Sequence, residues 1–469
     1  MNRKRAFAFA AMSLALALCG CQLLGDAPIG EHEVIDDGNH VLVDYDDFSV
    51  FDGLQAEYPQ ASDVIALPGE RIAPAGTLLA APTGVGGKLR SMNWGQTQSA
   101  NTVDEMRAVW FSYLEMNTML TGKTGAQFRR NIGVAFDNVA ALGLNTIIVQ
   151  VRPFGDALYN SAYFPWSHVC TGTQGKNPGY DPLQVMVEEA KGRGLRIEAW
   201  VNPYRVRPAG STLALSSDNK AKEWLEAGST SVVNYNGVIS YNPASAKAQS
   251  LIVEGVREIV KNYDVDGVHI DDYFYPTTDS AFDKASYNSY KSGGGTKSLA
   301  DWRRANVEAL LKKMYGAIKE ENQNVVFGVS PQSNLRADYS THYLNVQKIV
   351  SSPGYCDYIM PQVYFGFKND TQPYAKTIAS WNALLEGSDV QLYIGLAAYK
   401  CGAADSGAGA GKSEWQQNAD LLGRMVTQAR SNGNCGGFAL YRYESLFRPD
   451  SSVKAHIAKE TKALQAVLD

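Results

Sequence analysis

The sequence predicts a (β/α)8 barrel preceded by an extended N-terminal segment. Three observations predict it. From residue 104 onward, eight short apolar runs recur, mostly separated by stretches of helical spacing. The runs are nearly continuous in apolar residues rather than alternating, which implies a parallel sheet buried on both faces. Polar and aromatic residues gather at the C-terminal ends of almost every run, where barrel enzymes build their active sites.

The elements follow in order. "MRAVWFSYL" (106–114) reads as the first strand and "FRRNIGVAFDNVAALG" (128–143) as a helix with a glycine stop. "NTIIVQVRP" (145–153) is the second strand, "DPLQVMVEEAKGRG" (181–194) a helix, and "LRIEAWVNP" (195–203) the third strand. "SAKAQSLIVEGVREIVKNY" (245–263) is helical, "VDGVHIDDY" (265–273) the fourth strand, and "ADWRRANVEALLKKMYGAIKEEN" (300–322) a long helix. "VVFGVSP" (325–331), "CDYIMPQVY" (356–364) and "VQLYIGLAAY" (390–399) are strands five to seven. "WQQNADLLGRMVTQARSNG" (415–433) is a helix, "GGFALYRYE" (436–444) the last strand, and "DSSVKAHIAKETKALQAVL" a closing helix. An open doubly wound sheet is the alternative; the lack of GxGxxG after the first strand counts against dinucleotide binding.

The N-terminus carries an export signal. "MNRKR" is a basic region, "AFAFAAMSLALAL" an apolar one, and Leu18–Cys19–Gly20–Cys21 fits the lipobox of bacterial lipoproteins. Residues 1–20 are therefore expected to be a signal peptide, with Cys21 lipidated; an ordinary signal cut nearby is the alternative. Residues 21–103, acidic and then rich in Pro, Gly and Ala, read as a tether. The barrel is assigned to 104–450 and the closing helix to 451–469. The expected location is the cell envelope, with the membrane touched through the lipid alone. A net charge of −5 gives no electrostatic footprint for nucleic acid. Cys170 and Cys401 map to the top of the barrel and Cys356 and Cys435 to the bottom, so any disulfides are expected within those pairs.

The strand ends supply the chemistry. Strand two ends in Gln150, Arg152, Phe154 and Asp156, and strand three in Glu198, Trp200 and Asn202 on one parity. Strand four brings His269 and Asp271 to the same side, with Asp272 just beyond. Strand five ends in "SPQSN", strand six in Gln362 and Tyr364, and strand eight in Tyr441, Arg442, Tyr443 and Glu444. The 25 tyrosines and 8 tryptophans provide flat apolar faces suited to sugars as well as to cores.

These residues resemble a known family. The segments "EMRAVWFS", "NTIIVQVRPFGDALYNSAYFPWS", "GYDPLQVMVEEAKGRGLRIEAWVNPYRV", "DGVHIDDYFYP", "WRRANVEAL", "YIMPQVYFG" and "YIGLAAYK" are similar to the glycosyl-hydrolase-like family 10, exported bacterial barrel proteins. The resemblance runs from about residue 104 to 448. It implies a (β/α)8 fold and hydrolysis of O-glycosidic bonds in cell-wall-type amino-sugar glycans. Where the family often has His in the third strand, this chain has Glu198.

Glycoside hydrolysis ordinarily uses two carboxyl groups. Asp271 is the candidate nucleophile or base, and Asp272 the fallback. Glu198, Glu444 and Asp156 are candidates for the second carboxyl by strand-end position. If an N-acetyl group of the substrate assists, Asp272 becomes the acid and Asp271 its electrostatic partner. Trp200, Tyr204, Tyr273, Tyr275 and Tyr364 are candidate stacking walls or barrel-top packing; Trp302, in a helix, reads as core. Gln150, Arg152, Asn202, His269 and Gln362 either bind sugar hydroxyls or hold one another at the barrel mouth. No cofactor and no metal are expected: the chain has six histidines, and no HxH follows the first strand. A non-catalytic glycan-binding barrel and a metal-dependent glycan deacetylase or amidase are the competing readings.

Overall fold

The computed structural model describes residues 105–468 and one antiparallel strand pair, Ile35–Asp36 with Val41–Leu42. The expected signal peptide, Cys21 and, apart from that pair, the tether lie outside the described residues.

Eight parallel strands close into a barrel whose ring order follows the chain. They are β1 (Met106–Phe111), β2 (Thr146–Arg152), β3 (Arg196–Val201), β4 (Gly267–Ile270), β5 (Val326–Val329), β6 (Tyr358–Ile359), β7 (Gln391–Ala397) and β8 (Cys435–Tyr441). One helix packs outside after each strand: α1 (Gly125–Ala141), α2 (Pro182–Lys191), α3 (Ala246–Asn262), α4 (Leu299–Glu321), α5 (Val346–Ser351), α6 (Tyr374–Leu384), α7 (Leu421–Arg430) and α8 (Lys454–Leu468). Local chemistry sets where the helices begin. Thr124 and Gln127 form a capping box on α1, Asp181 caps α2 with Pro182 in its first turn, and Ser245 and Ser298 cap α3 and α4.

The main apolar core lies between strands and helices, and a smaller one fills the barrel interior around Trp110, Ile148, Trp200, Tyr358 and Tyr393. Two glycines make that interior possible. A Cβ on Gly328 would sit 1.8 Å from the Tyr358 ring, and one on Gly267 would sit 2.8 Å from the Glu198 carboxyl carbon. Absent side chains on β4 and β5 thus leave room for a tyrosine and a carboxyl inside the ring.

Four details depart from expectation. β1 ends at Phe111, not Leu114, because Ser112 and Glu115 form a capping box that starts the helix Tyr113–Met119. β6 is a two-residue ladder; Pro361 cannot donate to it, and Gln362 makes only isolated bridges to Gln332 and Gly395. Residues between β3 and α3, to which the sequence pattern assigned no element, hold the helix Lys220–Glu226 and a three-stranded antiparallel sheet of Arg205–Arg207, Val238–Tyr241 and Val232–Tyr235. The expected disulfide pairs do not form: all four described cysteines are free and buried. β2 and β7 have β8 and β1 between them in the ring, and β6 and β8 have β7 between them. At roughly 4.8 Å per strand step, both separations exceed the ~7 Å reach of a disulfide.

Candidate active site

The site is built where β4 stops. Ile270 is its last residue, and Asp271 and Asp272 follow at the C-terminal mouth of the barrel. A relay of hydrogen bonds crosses three strand ends to hold Asp271. The Tyr113 N–H donates to Gln150 Oε1 at 2.9 Å, the Gln150 amide donates to Asn202 Oδ1, and Asn202 Nδ2 donates to Asp271 Oδ1 at 2.6 Å. Asp272 is held differently. Gln362 Nε2 donates to its Oδ1 and Gln332 Nε2 to its Oδ2, each at 3.1 Å. Both oxygens of Asp272 are thus engaged by amides, whereas the relay engages only one oxygen of Asp271.

Both carboxyls line a narrow slit walled by Trp110, Tyr113, Trp200, Tyr273, Tyr364 and Tyr441. The Tyr364 and Tyr441 rings lie 5.9 Å apart, and Trp110 lies 5.9 Å from Tyr441. Among the described residues, Asp271 and Asp272 are the carboxylates lining this slit. Burial, followed by the adjacent Asp272 charge, holds the Asp271 carboxyl well above the usual aspartate range, against the pull of the Asn202 hydrogen bond. Burial also raises Asp272, while nearby His342 and then the two glutamine amides draw it back.

Beneath the slit runs a second, fully enclosed chain. Trp110 Nε1–H donates to His269 Nε2 at 3.2 Å, His269 Nδ1 meets the Tyr358 hydroxyl at 2.8 Å, and that hydroxyl donates to Glu198. Burial pushes His269 down to about 3, so it is neutral. With Nε2 accepting from the indole, the ring proton sits on Nδ1 and points to Tyr358. Burial pushes Glu198 up to about 7.

The structure brings together Asp271, Asp272, Gln150, Trp200, Asn202, Tyr273, Gln362 and Tyr364. It places other candidates elsewhere. His269 does not orient Asp271, because both its nitrogens serve Trp110 and Tyr358. Glu198 lies below the slit inside the barrel, its position opposite Gly267 being three residues short of the strand end at Val201. Glu444 lies in the first turn of the short helix Tyr443–Phe447 and accepts from Arg442 at 3.1 Å, away from the slit lining. Arg152 falls victim to a β-bulge: the register jumps between Gln150 and Arg152, so alternation breaks and the guanidinium packs outward, 4.4 Å from the Phe164 ring centre. Tyr204 and Tyr275 are buried packing residues, and Trp302 packs on Tyr287 at 5.2 Å. Asp156 is buried in a neighbouring cavity, accepting from Gln174 at 2.8 Å with His168 Nδ1 at 3.3 Å.

Sequence reasoning missed Trp110, Tyr113, Tyr358 and Gln332 as parts of the site. Only Gln332 had a direct signal, its place in the polar "SPQSN" after strand five. Among the described residues, no group of three or more His, Cys, Asp or Glu side chains is arranged to hold a metal ion, and no helix is long and apolar enough to cross a membrane.

A family model described as glycosyl hydrolase-like 10 matches residues 105–410. The chain is 36% identical over 327 residues to glycosyl hydrolase YngK of Bacillus subtilis (strain 168), covering 64% of this chain and 62% of that protein. It is 36% identical over 294 residues to glycosyl hydrolase DigH of Escherichia coli (strain K12), covering 57% of this chain and 65% of that protein. The chain therefore spans less than two thirds of the length of either relative. Among solved structures, the PgaB (BpsB) glycoside hydrolase domain from Bordetella bronchiseptica matches 78% of this chain and 99% of that domain, with a TM-score of 0.52 at 14% identity, a likeness of fold.

Proposed function

Because the chain belongs to the glycosyl hydrolase-like 10 family, we propose that its barrel cleaves O-glycosidic bonds of an amino-sugar polysaccharide, using Asp271 as the proton donor. The observation that carries this reading is the unequal environment of two adjacent carboxyls. Asp272 has an amide donor on each oxygen, which favours its charged form. Asp271 sits beside that charge and keeps its proton to higher pH than an ordinary aspartate.

In this reading Asp271 gives its proton to the leaving glycosidic oxygen as the bond to the anomeric carbon breaks. The Asp272 carboxylate steadies the positive charge that develops on the sugar. The amide oxygen of a 2-acetamido group attacks the anomeric carbon from the opposite face. Water then opens the resulting ring, giving its proton back to Asp271. Substrate assistance is favoured because the two carboxyls that line the slit are chain neighbours at the end of one strand, whereas direct displacement needs a pair on opposite faces of the sugar. The Trp200, Tyr364 and Tyr441 faces supply stacking surface for the sugar.

The test is Asp271→Asn assayed on a glycan panel that includes peptide-free peptidoglycan. Turnover should fall roughly 10²–10⁴-fold, as for loss of a general acid, while glycan affinity stays within about threefold. Undiminished turnover would remove Asp271 from the chemistry. The lipobox at Leu18–Cys21 supports a further part of the proposal: the barrel works outside the cytoplasm, tethered to the envelope through Cys21.

A further inference from the structure

The enclosed chain beneath the slit has a direction, and its far end sets that direction. Trp110 of β1 and Trp200 of β3 both wall the slit, and the His269 ring meets both edge to face, at 5.8 Å and 6.4 Å between ring centres. An indole N–H only donates, so Trp110 Nε1 needs a bare acceptor at His269 Nε2, 3.2 Å away. His269 is neutral and carries one ring proton. That proton therefore stays on Nδ1 and is given to the Tyr358 oxygen at 2.8 Å. The Tyr358 hydroxyl must then send its own proton elsewhere, and Glu198 accepts it. Gly328 of β5 is in register with both His269 and Tyr358, and its missing side chain lets the tyrosine reach the imidazole.

Without an acceptor beyond it, the same hydroxyl can turn and donate to Nδ1. The ring proton then sits on Nε2 and meets the Trp110 N–H head-on. His269 is fully buried and Trp110 nearly so, which leaves water no place to supply an acceptor. Two enclosed donors facing each other are costly, and the indole is pushed from its seat in the slit wall.

We propose that Glu198 is a positioning residue: by accepting from Tyr358 it fixes the tautomer of His269 and so seats Trp110 in the wall against which the glycan binds. The inference deepens the glycosidase reading and rests on it for the ligand, but the tautomer belongs to the resting protein and is measured without turnover.

The experiment uses the full chain. Nitrogen NMR reads which ring nitrogen of His269 bears the proton, with His269→Gln identifying its signals. The unaltered chain should show the Nδ1–H form. Glu198→Met keeps an unbranched side chain of similar length but no strong acceptor. It should move His269 to the Nε2–H form and raise KM on the glycan panel roughly three- to tenfold with kcat within about twofold, the mark of lost binding rather than lost chemistry. Glu198→Gln retains a carbonyl acceptor and should restore both readouts. Adding Tyr358→Phe to Glu198→Met removes the competing donor and should return His269 to the Nδ1–H form. An Nε2–H form in the unaltered chain overturns the inference and needs no variant to fold. So does a Glu198→Met chain whose tautomer is unchanged, or one whose kcat falls while KM holds. If no glycan of the panel is turned over, the glycosidase reading fails and the tautomer comparison still decides the positioning.

Discussion

Asp271 and Asp272 are neighbours in the chain with opposite surroundings, and that contrast yields a pH prediction. The Asp272 charge is one of the causes that hold the Asp271 carboxyl high. Asp272→Asn removes it while keeping a side chain of similar shape. The proton on Asp271 should then be lost at lower pH, so the alkaline limb of kcat/KM shifts downward by one or more pH units; an unmoved limb would separate the two groups. Glu198 gives a stability prediction. Its carboxyl rises from 4.5 to about 7 on folding. Between those values the folded state holds a proton that the unfolded chain releases, so stability falls as pH rises through that window. Glu198→Gln should lessen that fall, by about 3 kcal/mol at most, measured as denaturant stability at pH 5 and pH 8. A residual slope should remain, because Glu460 is also pushed up to about 7 by burial. At this scale much of the slit was legible: the polar strand ends named Asp271, Asp272, Gln150, Trp200, Asn202, Gln362 and Tyr364. Trp110 and Tyr358 were not, because an aromatic inside a strand reads the same whether it faces helices or the barrel interior.

Secondary-structure elements explain which readings of side-chain direction succeeded. Period-two alternation correctly set Trp200 and Asn202 on one side of β3, but one bulge in β2 reversed Arg152. The antiparallel insertion had a local signal that went unread. Asn236 and Gly237 carry φ of 49° and 87°, the Asn-Gly turn that joins Val232–Tyr235 to Val238–Tyr241. Ser112-x-x-Glu115 likewise marked a helix start inside a presumed strand. Pro331 and Pro361 follow β5 and β6 and shorten both ladders, which leaves Gln332 and Gln362 to turn their amides toward Asp272. The interior of β5 carries its own prediction. Gly328→Ala should force the Tyr358 ring away from its place above Glu198 and destabilise the barrel by roughly 1–3 kcal/mol or more, read from the urea midpoint. An unchanged midpoint would show that the interior can yield.

Over the whole molecule, closure of eight strands turns residues far apart in sequence into one slit. The segment ahead of the barrel carries the remaining prediction: Cys21→Ser should abolish incorporation of a labelled fatty acid and release the protein from the membrane fraction, and retained label would remove the tether. The sequence by itself determined the barrel class and the polar strand ends that meet in one slit, Asp271 and Asp272 among them, because apolar continuity, helix caps and strand-end polarity are local properties of the chain. Tertiary structure alone decided that Glu198 and His269 belong to an enclosed chain below the slit, that Glu444 pairs with Arg442, that the cysteines stay apart, and that Arg205 and Arg207 border a second cavity. The reason is geometric: depth inside a barrel and distance around its ring depend on shear, bulges and insertions summed over all eight strands, and no short stretch of residues encodes that sum.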